Sequence, residues 1–279
     1  MRIAILLTCF NREHKTYVCL SSLSKAISGH GQFDVYLVDD GSTDGTARMI
    51  AEHFPEVRLI KGSGSLFWAG GMRLAWQSAI NSGIIYDGYL LINDDVELCD
   101  GFMSLLMETH EYALSHYSKP GLYVLSTKSK SGEYTYGGHV LRKSILHHRY
   151  DMIIPANAPQ SCDLTNANIM FVSAAVYERL GILDTHFTHS LADFDYGLSA
   201  NEAGFPVLVG PSFGGYCEDD HVGKLFKSYS LKERISMLYS VKGIALNEHL
   251  YYLNKHFRFK SIYAFIILWL KTLFPRSIK

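Results

Sequence analysis

The chain has 279 residues, 48% of them hydrophobic, which is enough apolar surface for one sizeable folded domain with an appendage. Its formal net charge of -1 excludes the broad basic surface of a general nucleic-acid-binding protein, so no nucleic-acid partner is predicted. The five cysteines are scattered without C-x-x-C spacing, which argues against a disulfide framework or a zinc knuckle and favours a reducing cytoplasm.

Strands and helices alternate in the first half of the chain. Buried apolar runs predict strands at residues 3–8, 35–40, 57–61 and 89–93. Patterns typical of helices lie between them, at residues 13–28, about 42–53 and 70–82. This alternation predicts a mostly parallel sheet with right-handed crossovers, in which ligands bind beyond the carboxyl ends of the strands.

From residue 123 the pattern changes to short strands and turns. The predicted elements are a strand at 169–173, a helix ending near 180, a helix at 193–203, a strand at 206–210 and helices from 230. The sequence contains no linker and no internal repeat. We therefore predict one domain at residues 1–225 and a helical extension at residues 226–279.

The apolar segment at residues 261–274 lies in this extension between lysine and arginine residues. It is shorter than the roughly 20 apolar residues that a membrane-spanning helix needs. Two interpretations stay open. Basic flanks suit a peripheral position on a membrane with anionic lipids, whereas a helix packed on the domain, or on a second subunit of a homodimer, explains the same pattern.

The stretch LLINDDVEL at residues 90–98 places two adjacent carboxylates, Asp94 and Asp95, at the end of a buried strand. A hard divalent cation prefers oxygen ligands and can be shared with a phosphate, so it would relieve the repulsion between them. The motif therefore suggests a cation shared with a diphosphate. A solvated turn is the alternative, because Asp and Asn are ordinary turn residues.

A second acidic loop, DDGSTDGT at residues 39–46, also follows a buried strand. Its carboxylates could accept hydrogen bonds from the base and ribose of a nucleoside, and its small residues allow close approach of the backbone. The loop matches neither the phosphate-binding G-x-x-x-x-G-K-[ST] pattern nor the G-x-G-x-x-G pattern. A capped turn between strand and helix explains it equally well.

A third loop, SGSLFWAGGMRLAW at residues 63–76, carries Trp68 before the glycine pair Gly70 and Gly71. Paired glycines at the start of a helix let a ligand approach the backbone, and helix N-termini favour diphosphate oxygens. The alternative is that Trp68 and Met72 are core residues.

Taken together, these motifs resemble the family 2 glycosyltransferases, an inverting group with the GT-A fold that binds nucleotide-diphospho-sugars. The matching stretches are TCFNR at 8–12, VDDGSTDGT at 38–46, LFWAGGM at 66–72, LLINDDV at 90–96, TNANIMFVSAAVYERLGILDTHF at 165–187 and ADFDYGLSANEAGF at 192–205. The form with W-A-G-G-M is similar to the branch of bacterial rhamnosyl- and galactofuranosyltransferases that build surface polysaccharides.

The resemblance implies an α/β GT-A domain with a mostly parallel central sheet flanked by helices, a donor-binding half at about 1–122 and an acceptor-binding half at about 123–225. It implies a UDP- or dTDP-sugar donor, such as rhamnose or galactofuranose. The implied acceptor is a hydroxyl of a lipid-linked cell-surface glycan precursor, of O-antigen or capsule, at the cytoplasmic face of the bacterial plasma membrane.

The resemblance also assigns roles to residues. Asp39 or Asp40 would contact the base and ribose, and Asp94 the ribose or, through water, a metal. The donor-binding residues that it implies are Thr8, Phe10, Asn11, Arg12, Asp39, Asp40, Gly41, Ser42, Trp68, Gly70, Gly71, Met72, Asn93 and Asp94.

In the resemblance, Asp95 and His221 would bind Mg²⁺ or Mn²⁺, and Asp193 would be the catalytic base. The sugar or acceptor pocket would include Gly138, Asn166, Asn168 and Asp195. The family often has an acidic residue where this chain has Ala192 and an arginine where it has Ser199, so the resemblance implies no contact of that helix with the acceptor or diphosphate through these two positions.

A base at Asp193 also follows from the chemistry, because displacement at an anomeric carbon needs an acceptor hydroxyl stripped of its proton. A helix N-terminal carboxylate that interacts with the macrodipole is the structural alternative. Two other functions stay open. One is a nucleotidyltransferase, which binds nucleotides in a similar α/β fold but usually has a glycine-rich loop near the N-terminus, where Thr8 to Arg12 of this chain contain no glycine. The other is a non-catalytic sugar-nucleotide-binding protein with a decayed site, against which the intact Asp95 and Asp193 argue.

Overall fold

The computed structural model describes residues 1–143, 148–219 and 228–275. Short, mostly buried strands make up its sheets. They are β1 (Arg2–Cys9), β2 (Gln32–Asp39), β3 (Arg58–Lys61), β4 (Gly88–Ile92), β5 (Glu97–Leu98), β6 (Leu122–Lys128), β7 (Tyr134–Tyr136), β8 (Gly138–Lys143), β9 (His148–Met152), β10 (Gln160–Ser161), β11 (Leu164–Thr165), β12 (Ile169–Ser173) and β13 (Val207–Tyr216).

Helices follow most of the strands and form the C-terminal part of the chain. They are α1 (Glu13–Ile27), α2 (Thr46–His53), α3 (Phe67–Asn81), α4 (Phe102–Tyr117), α5 (Ala174–Leu180), α6 (Ala192–Glu202), α7 (Leu231–Tyr239), α8 (Leu246–His256) and α9 (Lys260–Leu273).

The central sheet runs in the order β10-β13-β6-β12-β4-β1-β2-β3, with β5 paired to β13 and β7 to β6. Strand β12 is antiparallel to both of its neighbours, β4 and β6, while β1, β2, β3 and β4 pair in parallel. Cys9 lies opposite Asp39, and Asp39 lies opposite Lys61, so the carboxyl ends of these strands form one edge. The predicted mostly parallel sheet is confirmed.

The sheet separates two hydrophobic cores because side chains alternate along each strand. On β1, Ala4 and Leu6 face the core that contains Trp76 of α3. Ile5 and Leu7 face the other core, formed with α1, α2 and α4. Burial on both faces explains why the inner strands are nearly continuous apolar runs.

Two predicted helix boundaries differ from the structure. Helix α3 begins at Phe67, three residues before the predicted start, so the glycine pair lies within its first turns. Helix α2 begins at Thr46, although the Asp44 carboxylate still accepts the Thr46 N–H at 3.0 Å. No element is predicted above for residues 102–117, where the structure has α4.

Helices α7, α8 and α9 lie in the predicted C-terminal extension. The predicted boundary at 225–226 lies outside the described residues. Helix α8 packs on the core that contains Trp76, through Tyr252 and Leu253. Among the residues that the structure describes, none of the helices combines the length and apolar character needed to cross a bilayer.

Candidate active site

The carboxylates of the NDD motif face two basic residues at the start of α1, Arg12 just before the helix and Lys15 in its first turn. The Arg12 Nη1 atom lies 2.7 Å from Asp95 Oδ2 and 3.2 Å from Asp94 Oδ1. Lys15 Nζ lies 3.8 Å from the same Asp95 oxygen. The strand-end carboxylates therefore meet positive charge, and in this structure the protein itself supplies it.

Asp94 is the more deeply buried of the two carboxylates, with 5% of the residue exposed. Burial raises the pKa of Asp94 to about 7, although Arg12 lowers it, and the neighbouring Asp95 charge adds to the increase. The Thr16 hydroxyl donates to Asp94 Oδ2 at 3.4 Å, and the Cys217 thiol lies 3.6 Å from Asp95 Oδ1. Burial raises the pKa of Cys217 as well, so this neighbour is a neutral thiol.

The loop after β2 is held by Asn11, which adopts a left-handed conformation with φ 51°. Its backbone N–H donates to Ser42 Oγ at 2.8 Å, and its side-chain oxygen accepts the Thr43 N–H at 2.7 Å. Asp39 Oδ1 accepts the Ser42 N–H at 2.8 Å. These bonds shape the loop that the sequence assigns to the nucleoside, next to Gly41, whose φ is 84°.

Asp40 has a different environment from Asp39. Its Oδ1 atom accepts the Gly64 N–H, and its Oδ2 atom accepts the N–H groups of Leu66 and Phe67, at 2.8, 2.8 and 3.2 Å respectively. The carboxylate thus caps the start of α3 across the sheet edge. Since both of its oxygens are engaged, the geometry favours Asp39 over Asp40 as the nucleoside contact.

The aromatic and glycine-rich loop divides into surface and core positions. Trp68 Nε1 donates to Asn93 Oδ1 at 2.8 Å, which brings this loop onto the NDD motif. Met72 is 0% exposed in the core, which agrees with the core alternative, and its donor contact stays a prediction. A Cβ atom on Gly71 would lie 2.1 Å from Thr8 Oγ1, so this glycine is needed for helix–strand packing.

The predicted base, Asp193, is half-buried in the first turn of α6. Its Oδ1 atom accepts the Phe194 N–H at 2.9 Å, and its Oδ2 atom accepts the Ala167 N–H at 3.2 Å. Burial raises the pKa of Asp193, while these hydrogen bonds and one from Asn166 oppose the increase. A carboxylate with a raised pKa is a stronger base than an ordinary aspartate.

A two-residue segment joins this base to the acidic strand end. Because β12 runs antiparallel to β4, the residues before β12 lie beside the end of β4. The Asn93 N–H donates to the Asn168 carbonyl at 3.2 Å, and the next residue back, Ala167, donates to Asp193. The Asp193 carboxylate and the acidic strand end are therefore connected through the backbone of Ala167 and Asn168.

Other predicted pocket residues lie in different surroundings. Both oxygens of Asp195 are engaged by Lys255 and His256 of α8, so an acceptor contact is not favoured by its geometry. A Cβ atom on Gly138 would lie 2.3 Å from Val209 Cγ2, so this glycine is required by tight packing. Phe10, a predicted donor residue, is 48% exposed next to Asn11, which binds the loop after β2.

Lys15 is a site residue that the sequence-based assignment omits. A signal for it exists, because Arg12 and Lys15 are three residues apart at the start of a helix and such positions share one face. Their side chains border an open cavity of about 660 Å³ between the start of α1 and the region of α2, which Glu13 and Asp44 also line. This cavity therefore carries charges of both signs.

The donor atoms at the strand end suit a hard divalent cation. Mg²⁺ and similar ions are often held by one or two carboxylates together with phosphate oxygens and water, and Asp94 with Asp95 provides such a pair. Within the described residues, no three His, Cys, Asp or Glu side chains form a closed metal cluster. The predicted ligand His221 lies outside the described residues.

Residues 4–111 match the sequence profile of a family described as Glycosyl transferase family 2. The matched region includes the loop after β2 and the acidic strand end, and it stops before Asp193. No curated protein matches the chain.

Solved structures resemble the chain over nearly its whole length. The mannosyltransferase PcManGT from Pyrobaculum calidifontis, in complex with GDP-Man and Mn²⁺, is 12% identical, with a TM-score of 0.57 over 98% of this chain and 70% of its own. TarS 1–349 from S. aureus, in complex with UDP-GlcNAc, is 14% identical, with a TM-score of 0.58 over 98% of this chain and 80% of its own.

At such identities the structural matches establish the fold, and the sequence profile supplies the enzyme class. The predicted GT-A fold and the predicted class, a glycosyltransferase, are thereby confirmed. The chain has a GT-A fold with a mostly parallel sheet flanked by helices, and its residues 4–111 match the Glycosyl transferase family 2 profile.

Proposed function

We propose that the protein is a metal-dependent inverting glycosyltransferase, which moves a sugar from a nucleoside-diphosphate donor to a hydroxyl of a cell-surface glycan precursor. One observation carries the proposal. The acidic strand end, which Arg12 contacts, is connected to the half-buried Asp193 through the backbone of Ala167 and Asn168. This connection supports the assignment of the two kinds of group that sugar transfer needs, an edge that binds the diphosphate and a base.

The donor would lie along the carboxyl ends of β1, β2 and β4. Asp39 would accept hydrogen bonds from the nucleoside, and Trp68 would line the sugar side through its bond to Asn93. Arg12 and Lys15 place positive charge where negative charge develops on the departing diphosphate, which lowers the barrier. GDP-Man in PcManGT and UDP-GlcNAc in TarS support a nucleotide-sugar donor for this fold.

Asp95, with Asp94, would hold Mg²⁺ or Mn²⁺, and Mn²⁺ in PcManGT supports this assignment. When bound, the ion would supply electrostatic stabilisation of the leaving diphosphate. Asp193 would accept the proton of the acceptor hydroxyl, with its oxygens oriented by two backbone N–H groups. One base is sufficient for direct displacement with inversion.

The donor sugar and the acceptor are proposed from the motif resemblance: a UDP- or dTDP-linked sugar, such as rhamnose or galactofuranose, and a lipid-linked precursor of O-antigen or capsule. Nucleoside-diphosphate release, measured with the full chain, Mn²⁺ and a panel of UDP-, dTDP- and GDP-sugars, tests the proposal. We expect release from one donor class, accelerated by acceptor. Pyrophosphate release from a nucleoside triphosphate, with no turnover of any sugar nucleotide, would indicate a nucleotidyltransferase instead.

We also propose a peripheral position on the cytoplasmic side of the plasma membrane. Helix α9 exposes one apolar face, with spacing of three, four, eight and eleven residues from its first member. That face consists of Ile262, Phe265, Ile266, Leu270 and Leu273, which are 37–66% exposed. No acidic residue occurs in residues 249–279, whereas six lysines and arginines do, so the segment suits anionic lipids.

A charged substitution on this face should weaken membrane binding. We expect the double variant Ile262→Glu/Ile266→Glu to bind vesicles of phosphatidylglycerol and phosphatidylethanolamine at least tenfold more weakly, because burying one such side chain contributes about 1.5–3 kcal/mol. Vesicle flotation measures the bound fraction. Leu114→Glu is the matched control, since Leu114 is 44% exposed on α4, outside this face.

Equal flotation of both variants and the parent chain would contradict membrane binding. If the double variant instead loses a concentration-dependent dimer in size-exclusion chromatography, the face of α9 is a homodimer interface.

A further inference from the structure

Two consecutive residues at the end of α8 bind the helix that carries the proposed base, α6. Lys255 Nζ lies 2.8 Å from Asp195 Oδ1 and 2.9 Å from Asp195 Oδ2. His256 Nε2 lies 2.8 Å from the same Oδ1 atom. The side chains of Asp195 and His256 are 3% and 1% exposed, so this is a buried contact between the C-terminal extension and α6.

His256 also reaches the other end of α6. Its Nδ1 atom lies 2.9 Å from Glu202 Oε1, seven residues and about two helical turns after Asp195. Burial by itself lowers the pKa of His256, but the hydrogen bonds to the two carboxylates outweigh burial and raise it. One side chain thus fixes both the rotation and the axial position of α6.

Helix α8 also holds the segment that leads into α6. Lys255 Nζ lies 3.0 Å from Asp184 Oδ2, and the Tyr251 hydroxyl donates to the same oxygen at 2.9 Å. Glu248 Oε2 accepts the Thr188 N–H at 3.0 Å. The segment before Asp193 is therefore anchored at two points.

From these contacts we propose that Lys255 and His256 are positioning residues for Asp193: by binding Asp195 they fix α6, so that the Asp193 carboxylate faces the site beside Ala167. The proposal rests on the proposed function, because it assumes that Asp193 is the base. It assigns the C-terminal extension a part in catalysis, separate from the apolar face of α9, which does not include either residue. A small displacement of a catalytic group is costly, about 100-fold in rate for 1 Å.

Lys255→Met tests the proposal in the full-length protein. We expect kcat to fall about 10- to 100-fold per folded molecule, with the donor KM within about twofold of the parent value. Lys255→Arg keeps the charge and should restore most of kcat. Lys232→Met, on α7 of the same extension and exposed, is the matched control and should have no effect.

A thermal unfolding curve for each variant separates lost stability from lost positioning, because breaking a buried ion pair also destabilises. If Lys255→Met does not fold, His256→Gln replaces it with the same readouts. Amide hydrogen exchange of residues 192–202 gives a readout independent of turnover, and it should be faster in either variant.

Unchanged kcat and unchanged exchange of α6 in a folded Lys255→Met or His256→Gln protein would overturn the proposal. Equal losses of donor affinity and kcat would also overturn it, since positioning of the base does not act on the donor. If the parent chain transfers no sugar, the proposed function fails. Faster exchange of α6 in the variants would then show that Lys255 and His256 stabilise this helix, without a part in catalysis.

Discussion

Replacement of Asp193 by asparagine is expected to remove sugar transfer while leaving donor binding intact. Asparagine keeps the shape of the side chain but cannot take the proton of the acceptor hydroxyl, and a general base contributes about 100- to 10,000-fold to the rate. Initial rates with saturating donor and acceptor give kcat, and calorimetric titration gives the donor affinity. We expect kcat to fall by this factor and the donor Kd to stay within about twofold.

The variant also changes a structural contact, which the control must reproduce. Both oxygens of Asp193 accept backbone N–H groups, and an amide can accept only one of them through its oxygen. Asp163→Asn is the control for the same loss of charge at a carboxylate bound to the backbone, since Asp163 Oδ2 accepts the Leu141 N–H at 2.6 Å. We expect the control to lose stability but not turnover.

The pH dependence of the reaction gives a second test of Asp193. Because burial raises the pKa of this carboxyl, the base becomes protonated at a higher pH than an ordinary aspartate. The rate should therefore fall as the pH decreases through a value above the usual aspartate range. A profile without an acidic limb in that region, or equal losses of donor affinity and turnover in Asp193→Asn, would contradict its role as base.

The strands that carry the donor site could be predicted from the sequence because their signals are local. Strands β1, β2 and β4 each contain a buried apolar run, at residues 3–7, 35–38 and 89–92, and each run is followed by polar residues. Parallel pairing then brings their carboxyl ends to one edge. The proximity of residues near Cys9, Asp39 and Asn93 follows from this geometry alone.

The start of α3 could not be predicted in the same way. Glycine pairs commonly mark helix starts, but here the first turn is capped by Asp40, 26 and 27 residues earlier in the chain. Phe67 has a positive φ of 54° at this position, which its sequence does not suggest. A cap from a distant loop overrides the local signal.

The partners of the acidic residues depend on contacts that are distant in sequence. Arg12 is 83 residues from Asp95, and Asp195 is 60 and 61 residues from Lys255 and His256. Only the packed fold determines which carboxylate pairs with which basic side chain. For this reason the resemblance could suggest Asp195 as a pocket residue, whereas the structure places it against α8.

Removal of the Asp95 carboxylate is expected to abolish the effect of Mn²⁺ on donor binding. The side chain is 12% exposed, its Oδ2 atom contacts Arg12 and Lys15, and the proposed function assigns the cation to this carboxylate. Calorimetric titration with and without Mn²⁺ measures the effect. In the parent chain, we expect Mn²⁺ to tighten donor binding at least tenfold, which is about 1.4 kcal/mol.

In Asp95→Ala this gain should disappear, while binding in the absence of metal should be equal or tighter. The reason is that Arg12 and Lys15 then have one anionic partner fewer in competition with the diphosphate, while Arg12 keeps its contact with Asp94. An unfolded variant would bind the donor more weakly both with and without Mn²⁺. Loss of the Mn²⁺ effect together with unchanged or tighter metal-free binding therefore indicates lost metal coordination. Asp100→Ala, at an exposed carboxylate five residues further along the chain, should behave like the parent. If Mn²⁺ tightens donor binding equally in Asp95→Ala and the parent, the ion binds elsewhere, and the basic pair at the start of α1 is then the principal diphosphate-binding element of the site.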